Sequence, residues 1–517
     1  MLVPRRLTDL RAGLWIGGVL FLCFVYFLPR WHDWNQDARM DMTMAIVNHD
    51  TIAINAYQYN TKDDSRFQGH YYSNKAPGQS LSGVPVYVAF KALTALPPGR
   101  GLVDAVEGNT AWNMALQEAA GRFVPPKLDF ALLQYLESVL TVAVPSVLFL
   151  LLFYWFLGYF SDSQLNRIIL TLGFGLATII FPYSQLFYSH VPAAALDFAG
   201  FVLIFLTAEP ALRARRGTGW LRRHPEVSML LAGLAIGLAV VFEYPAALIA
   251  IIIGIYALIR LPRRLIPFLV AGALPAAAVV MTYDYAAYHN PFATGYGKYE
   301  VLWKQEGRGI AGFTLPPSGA AIDGMSVSQY RGLFFLSPFL LLAFPGYILW
   351  YLKERTQRST ALLLFAIPLL FFLAIASYWG WNGGQVVGPR YLIPSLPFLA
   401  LPVIFALDAL SYGAARLGVL ALLALSVFNT WAETIGGPAY PRGFVQDPLF
   451  TSSLPRLFGG QVPMSLGSFL GLRGPGSLLP LVLLLGCWTA LVLLPIVSAQ
   501  SEERQPLLVT TRTEFER

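Results

Sequence analysis

The sequence contains very little cysteine. Its 517 residues include only two, Cys23 and Cys487, and both lie inside apolar runs near opposite ends of the chain. This number and spacing support neither a disulfide framework nor a thiolate metal site. Cysteine usage therefore gives no indication of the redox compartment.

Charged residues are also scarce. They make up 13% of the chain, against 56% hydrophobic residues, and the mean hydropathy is +0.55. Such a composition excludes an ordinary soluble protein. Repeated apolar runs of roughly 18 to 25 residues are long enough to cross a bilayer as helices. The composition predicts an all-α polytopic membrane protein with one dominant membrane domain.

Nucleotide-binding motifs are missing as well. There is no P-loop, and "GYGK" at positions 295–298 is too short for a dinucleotide fingerprint. The net charge of +7 does not indicate nucleic acid as a partner, because the basic residues cluster in short loops between apolar runs. Such clusters are typical of cytoplasmic loops. They comprise Arg213, Arg215, Arg216, Arg222 and Arg223, then Arg260, Arg263 and Arg264, then Lys353, Arg355 and Arg358.

The apolar runs predict about twelve transmembrane helices. They cover residues 12–29, 132–160, 166–183, 191–208, 228–242, 244–260, 265–287, 332–352, 360–378, 391–410, 417–431 and 477–498. With the N-terminus inside, this order places every basic cluster on the cytoplasmic side. It sends four sizeable segments to the outer face: 30–131, 288–331, 379–390 and 432–476.

We predict a single membrane domain over 1–498 and a charged cytoplasmic tail over 499–517. The first apolar run has a basic flank like a signal peptide, but it is long and no small-residue cleavage site follows it, so a retained helix is expected. The first outer loop, 30–131, is the longest. Its run "SGVPVYVAFKALTAL" is short for a span and predicts a helix lying along the membrane surface.

The stretch "WNQDARMDMTMAIVNHD" puts several charges directly after the first apolar run. On a helix, Asp37 and Asp41 are four residues apart and share a face, whereas Arg39 points elsewhere. A carboxylate that is partly desolvated at the membrane surface is suited to act as a general base toward a hydroxyl. The alternative is a solvated helix start, which is common beside spans.

A second polar segment of the same loop reads "NTKDDSRFQGHYYSNKAPGQSL". Asp63 precedes a turn-rich stretch that contains His70, Tyr71 and Lys75. Aromatic rings and an ammonium next to a membrane could hold a phosphate and the start of a lipid chain. The alternative is that the tyrosines anchor the chain at the interface and that Lys75 extends to the membrane surface.

Three further residues sit at predicted outer ends of helices. Arg390 is an outer-side arginine, against the usual bias, and its guanidinium can hold a phosphate with two hydrogen bonds. His190 and Glu243 each lie beside a proline. They could join His70 and the aspartates around a divalent metal ion, but no HxxxH or HxxE spacing links them, so no cofactor is predicted.

Five segments together resemble a known class. They are "NQDARMDMTMAIVNHDTIAIN", "GHYYSNKAPGQSLSGVPVY", "PYSQLFYSHVPAAAL", "YRGLFFLSPFLLL" and "GPRYLIPSLPFLALP". They resemble bacterial membrane proteins classed as glycosyltransferase family 39-like, within the GT-C glycosyltransferases. That class holds the protein O-mannosyltransferases and the aminoarabinose transferase of lipid A. The resemblance covers most of the chain and implies a GT-C fold.

The resemblance also implies a reaction. In such enzymes the donor is a sugar on a polyprenyl phosphate, transfer occurs on the outer face of the inner membrane, and an acid of the first outer loop activates the acceptor. The acceptor is a lipid, a glycan or a protein. By position, Asp37 matches that acid and Arg39 the arginine that follows it, while Gln36 stands where relatives have a leading acid. Asp41 or Asp63 could therefore hold the role instead.

The resemblance further implies that Lys75 contacts the lipid phosphate. Three other functions are alternatives to a glycosyltransferase. They are a transporter or lipid flippase, a polymerase or ligase of diphosphate-linked glycans, and a noncatalytic scaffold with the same fold. A transporter should carry polar groups near mid-membrane, whereas most polar groups here gather at outer helix ends, with Asp197 as an exception.

Overall fold

The computed structural model describes residues 5–28, 33–109, 127–209, 223–296, 299–301, 312–436 and 446–493. Over these ranges the regular structure is helical apart from one antiparallel hairpin, so the all-α polytopic fold class is confirmed. The α-helices are Arg5–Tyr26, Trp34–His49, Gly78–Thr94, Pro97–Glu107, Lys127–Ser138, Val144–Leu157, Gln164–Leu176, Ile180–Tyr183, His190–Ala208, Pro225–Phe242, Ala246–Arg260, Ile266–Tyr288, Gly319–Ser326, Leu333–Leu336, Ala343–Lys353, Arg358–Ser377, Leu396–Ala400, Val403–Ala409, Gly413–Ile435, Leu454–Phe458 and Leu466–Phe469.

The number of membrane-spanning helices is smaller than the sequence predicts. Within the described ranges, eight helical stretches are long and apolar enough to cross a membrane, and a ninth counts if a bent pair is one span. The eight are Asp9–Tyr26, Asp129–Leu157, His190–Ala208, Pro225–Phe242, Arg263–Tyr288, Arg355–Ser377, Gly413–Ile435 and Gly474–Leu493. Over the described ranges, the predicted count of about twelve is therefore corrected to eight or nine helices of spanning length and composition.

The difference arises where apolar runs are broken or short. The predicted run 391–410 bends by 46° between Arg390–Ala400 and Val403–Ala409, beside Pro402. The run 166–183 contains a helix of only 13 residues, Gln164–Leu176, and Ala246–Arg260 has 15. A straight helix needs about 20 residues to span the hydrocarbon.

The first outer loop folds into helices and a hairpin. The run predicted to lie along the membrane surface forms the helix Gly78–Thr94, followed by Pro97–Glu107, and its position relative to the membrane stays a prediction. The strands Asp64–Phe67 and His70–Ser73 pair antiparallel, which the sequence analysis does not predict. Between them Gln68 and Gly69 have φ of 49° and 88°, as two-residue hairpin turns require. This loop supplies part of the site described below.

The predicted cytoplasmic loops meet one another at one end of the bundle. Arg260 pairs with Glu209 and donates to Ser359 Oγ at 3.2 Å. A further contact joins the start of the Gln164–Leu176 helix to the end of the Val403–Ala409 helix, where Asn166 donates to Asp408 Oδ1 at 2.7 Å. Three predicted connections thus contact one another, and the side of the membrane on which they lie stays a prediction. The tail 499–517 and the residues Arg213, Arg215, Arg216 and Arg222 lie outside the described residues, so the division at 498 stays a prediction.

Aromatic rings fill the centre of the bundle. Phe153 lies 5.0 Å from Phe174 and 5.6 Å from Phe198 between ring centroids, and Phe156 lies 5.4 Å from Phe205. All five are fully buried. Tilted and edge-to-face pairs of this kind pack well and add to the burial of apolar area. They fix the helices whose outer ends carry the polar residues.

Candidate functional site

The Trp34–His49 helix begins at a side-chain cap and is enclosed by protein. Asp33 Oδ1 accepts from the Asn35 backbone N–H at 2.9 Å, which satisfies one of the free donors at the helix start. Every residue from Asn35 to Ala45 is buried. The sequence predicts a helix with its two aspartates on one face. Because the helix is buried on all sides, each of its charged groups needs a partner inside the protein.

The two aspartates of this helix lie beneath the protein surface. Asp37 and Asp41 have no exposed area. Asp41 Oδ1 accepts from Asn60 Nδ2 at 2.9 Å. Burial raises the pKa of Asp41 well above its usual range, and the nearby carboxyls of Asp37 and Asp64 raise it further, against the lowering effect of the Asn60 hydrogen bond. Burial thus favours the protonated form of the Asp41 carboxyl more than in water.

Three predicted residues from distant segments come together in a buried network. Arg39 lies 3.3 Å from Glu243 Oε1 and donates to Ser189 Oγ at 2.6 Å. His190 Nδ1 lies 3.0 Å from the same Glu243 oxygen, which also accepts from the Ser189 hydroxyl. Burial alone would raise the pKa of Glu243, but His190, Arg39 and Ser189 outweigh it and lower the pKa to about 2. Glu243 is thus held as an anion.

A cleft of about 590 Å³ opens beside this network. Its walls combine tyrosines, carboxylates, two cations and a glycine-rich loop, and they come from three of the four predicted outer segments and from the turn before the His190–Ala208 helix. The lining residues are Asp33, Trp34, Asn35, Asp63, Asn74, Lys75, Tyr188, Tyr296, Glu300, Tyr378, Trp379, Gly380, Asn382, Gly383, Gly384, Gln385, Val386, Arg390 and Tyr391. The volume and mixed lining are those of a small-molecule site.

Asp63 and Lys75, both predicted, face each other in this cleft. Lys75 Nζ lies 2.9 Å from Asp63 Oδ2, and both side chains are largely buried. The ammonium also lies 5.7 Å from the centre of the Tyr296 ring. A ligand phosphate would have to compete with Asp63 for this cation. Lys75 is therefore better placed to orient Asp63 than to bind an anion by itself.

Arg390 is the second cation of the cleft, and its surroundings differ. Its guanidinium carbon lies 5.1 Å from the Tyr188 ring centre and 5.2 Å from that of Tyr391. Arg390 is 6% exposed. No carboxylate of the described residues lies within 4 Å of its guanidinium. A buried guanidinium between two aromatic rings is suited to hold an anionic group of a ligand.

Three cleft residues with polar contacts, Asp33, Tyr188 and Glu300, are not predicted by the sequence analysis. Asp33 Oδ1 accepts from the Tyr188 hydroxyl at 2.9 Å, and the Tyr188 ring stacks on His190 at 5.7 Å. Asp33 could have been found as an aspartate placed before a helix start, where such residues cap. Tyr188 gives no comparable signal, because aromatics next to spans are common. Glu300 accepts from Asn74 Nδ2 at 3.1 Å.

The structure does not bring every predicted residue to the cleft. Arg39, His190, Glu243, Asp37 and Asp41 are buried and do not line the cleft. His70 is exposed on the hairpin, with its Nδ1 2.9 Å from Asn55 Nδ2, and Tyr71 lies under Arg66 at 5.4 Å. Among the described residues, no group of three or more His, Cys, Asp or Glu side chains is arranged to hold a metal ion.

No protein-family model matches this chain, and no curated protein matches it with significance. Among solved structures, the apo crystal structure of the Archaeoglobus fulgidus oligosaccharyltransferase is similar, with a TM-score of 0.45 and 13% sequence identity. The match covers 84% of this chain and 60% of that one, so the chain spans about three fifths of that protein. A likeness this low carries no inference about family or activity.

The Glu243 network predicts a particular dependence of stability on pH. Because the pKa of Glu243 falls from 4.5 to about 2 on folding, its contribution is complete above pH 4.5 and is lost as the pH drops toward 2. At roughly 1.4 kcal/mol per unit, the loss is about 3 kcal/mol. We expect Glu243→Gln to lower the thermal unfolding midpoint at pH 6.5 and to lower it much less at pH 3.

The matched control is Glu354→Gln, because Glu354 is exposed and belongs to a predicted cytoplasmic loop. Its midpoint should follow the wild type at both pH values. The measurement is intrinsic tryptophan fluorescence during heating of the detergent-purified protein. An equal deficit for Glu243→Gln at both pH values would contradict the ionised network.

Proposed function

We propose that this chain is a membrane glycosyltransferase of the GT-C type, which moves a sugar from a polyprenyl-phosphate donor to an acceptor on the extracytoplasmic face. One observation carries the proposal: Arg390 is a buried guanidinium that faces the cleft, and among the described residues no carboxylate lies within salt-bridge distance of it, Asp33 acting only from farther away. A buried cation needs a compensating anion. The phosphate of a lipid-linked sugar supplies one.

The rest of the cleft fits a sugar beside that phosphate. Four tyrosines line the cleft, Tyr188, Tyr296, Tyr378 and Tyr391. A tyrosine combines an apolar ring with a hydroxyl group, which suits a ligand with both apolar and hydrogen-bonding surfaces. The cleft lies at the helix ends where the predicted outer segments meet. A lipid phosphate held there can leave its prenyl chain in the bilayer. Low-dielectric surroundings strengthen the attraction between the guanidinium and charge on the leaving phosphate.

The proposed transfer forms one bond to the anomeric carbon and breaks one. The acceptor hydroxyl loses its proton to a carboxylate, its oxygen forms a bond to the anomeric carbon, and the bond from that carbon to the phosphate oxygen breaks. Polyprenyl phosphate leaves with the electron pair, so no redox partner is needed. General-base help of this kind contributes roughly 10²- to 10⁴-fold.

The geometry favours Asp63 as the base over Asp37, which the resemblance ranks first. A base must reach the proton that it removes. Asp63 lines the cleft and is oriented by Lys75, whereas Asp37 and Asp41 have no exposed area. Asp33 also lines the cleft, but it caps a helix and accepts from Tyr188. We place it second.

The first experiment tests the anion site. Purified protein in detergent is titrated with undecaprenyl phosphate, and Arg390→Ala is compared with wild type. Loss of a buried charge partner costs at least about 2 kcal/mol, so the dissociation constant should rise by about 30-fold or more. Arg390→Lys should recover part of the affinity, because the charge stays but the two-pronged hydrogen bonding is lost.

The control is Arg358→Ala. Arg358 also lies over a tyrosine ring, that of Tyr351 at 4.9 Å, but in a predicted cytoplasmic loop, and its loss should leave binding unchanged. Wild-type binding that is no tighter than that of Arg390→Ala would sink the proposal. So would a failure to release undecaprenyl phosphate from every member of a panel of undecaprenyl-phosphate sugars given a cell-envelope extract as acceptor.

The second experiment locates the base. Asp63→Asn should lower transfer by roughly 100-fold or more and leave the affinity for undecaprenyl phosphate within about threefold of wild type. Asp41→Asn should retain transfer, because Asp41 has no exposed area, is held by Asn60 and does not line the cleft. Asp37→Asn decides between the two rankings. A large loss there with little loss for Asp63→Asn would return the role to Asp37.

The third experiment tests the orientation. Cys23 and Cys487 are replaced by alanine, and single cysteines are introduced at Lys62 and Arg264, which are both exposed cations. In intact cells a membrane-impermeant maleimide should label Lys62→Cys only, and Arg264→Cys should react after permeabilisation. The reverse pattern would place the cleft on the cytoplasmic side.

A lipid flippase is the second candidate, and a separate observation favours it. Glu137 and Asp197 are fully buried inside membrane-spanning helices, and none of their carboxylate oxygens has a hydrogen-bond partner within the described part of the chain. Ionisable residues in spans often mark transport pathways. A flippase would move a polyprenyl-phosphate sugar across a vesicle bilayer without breaking its sugar–phosphate bond, so the release measurement separates the two functions.

A further inference from the structure

A glycine-rich loop forms one wall of the cleft. Residues 380–386, here called the cleft loop, contribute six of the lining residues. Gly383 and Gly384 have φ of 67° and 84°, a conformation that suits glycine and strains other residues. Gly383 donates its N–H to Gly380 O at 2.9 Å, and Gly384 donates to Asn382 Oδ1 at 3.1 Å. A loop so poor in side chains needs other anchors.

Arg331 supplies such an anchor from outside the cleft. It is 1% exposed and lies in the motif "YRGLFFLSP", just before the helix Leu333–Leu336. Its guanidinium donates to the carbonyl oxygen of Asn382 and, at 2.8 Å, to that of Gly384. It also donates to the Tyr330 hydroxyl at 2.6 Å and lies 4.1 Å from the centre of that ring. One side chain thus holds two carbonyls of the loop.

The loop in turn contacts Arg390. A methyl group added at Gly383 would stand 3.0 Å from Arg390 Nε and 3.2 Å from its Cγ. The backbone of Gly383 therefore packs against the stem of the guanidinium that faces the cleft. On its other side the loop is held by Trp381, whose ring packs so closely on Gly324 that a methyl group there would stand 2.4 Å away.

We propose that Arg331 is a positioning residue: it fixes the cleft loop, and the loop holds Arg390 in the orientation that binds an anion. The second half of this inference rests on the proposed function, whereas the first half does not. The role suits arginine, because a planar fork can hold two carbonyl oxygens at once. A lysine ammonium is a single, mobile point charge.

The test has a readout that needs no ligand. Hydrogen exchange of peptides covering residues 379–387 is measured by mass spectrometry in the ligand-free protein. In Arg331→Gln these amides should exchange at least about 10-fold faster, because loss of the anchor lets the loop open locally. Arg331→Lys should give an intermediate rate. The matched control, Arg167→Gln, removes another buried arginine that lies over a tyrosine, 5.2 Å from the Tyr154 ring centre.

The second readout is binding of undecaprenyl phosphate. Arg331→Gln should raise its dissociation constant by about 10-fold, since a displaced group loses much of its effect. Gly383→Ala should do the same with Arg331 intact, because the added methyl group meets the Arg390 side chain. If Arg331→Gln is not monodisperse, Arg331→Lys and Gly383→Ala carry both measurements.

The outcomes are separable. Unchanged exchange in Arg331→Gln overturns the anchor whether or not the lipid binds. Faster exchange with unchanged affinity, in a wild-type protein that binds the lipid, overturns the link from the loop to Arg390. Failure of the wild type to bind the lipid counts against the proposed function alone, and the exchange rates still decide the role of Arg331. Faster exchange in the Arg167→Gln control would show a global effect and overturn the specific role.

Discussion

One buried carboxylate, Glu243, joins parts of the chain that are far apart in sequence. It accepts from Arg39 of the Trp34–His49 helix and from His190, the first residue of the His190–Ala208 helix. The Ser189 hydroxyl donates to the same carboxylate. Removing two charges from water is costly unless they compensate each other and their hydrogen bonds are made. This compensation lowers the cost of enclosing the polar Trp34–His49 helix within the protein. The cleft depends on it, since Asp33 and Trp34 come from the start of that helix.

Tyr188 contacts both the buried Glu243 network and the cleft. Its ring stacks on His190 and lies 5.7 Å from the Arg39 guanidinium, while its hydroxyl donates to Asp33. The same ring lies 5.1 Å from Arg390. A change in the buried network would therefore move a wall of the cleft as well as lower stability. This is why Arg39, His190 and Glu243 can matter for a ligand that they do not touch.

The sequence predicts which residues lie at the outer ends of helices, and much less about which way they point. Arg390, Lys75 and Asp63 lie in the cleft, as their outer positions suggest. Arg39, His190 and Glu243 share that end, but the rotation of each helix about its axis turns them behind the wall. Hydropathy carries no information on that rotation when a helix such as Trp34–His49 is buried all round. It also cannot show that an apolar run bends at Pro402 or stops after 13 residues.

The two arginines beside Tyr188 form an internal comparison. Both are buried and both lie near the same ring, so their aromatic contacts are alike. Arg39 has a carboxylate of the protein, Glu243, whereas no carboxylate of the described residues pairs with Arg390. Aromatic contact is worth about 0.5 to 2 kcal/mol, less than the several kcal/mol needed to desolvate a cation. Asp33, which lines the same cleft, acts electrostatically on Arg390 without pairing with it at salt-bridge distance. The two arginines therefore differ in how directly a carboxylate compensates them, and Arg390 is the one whose guanidinium faces the cleft.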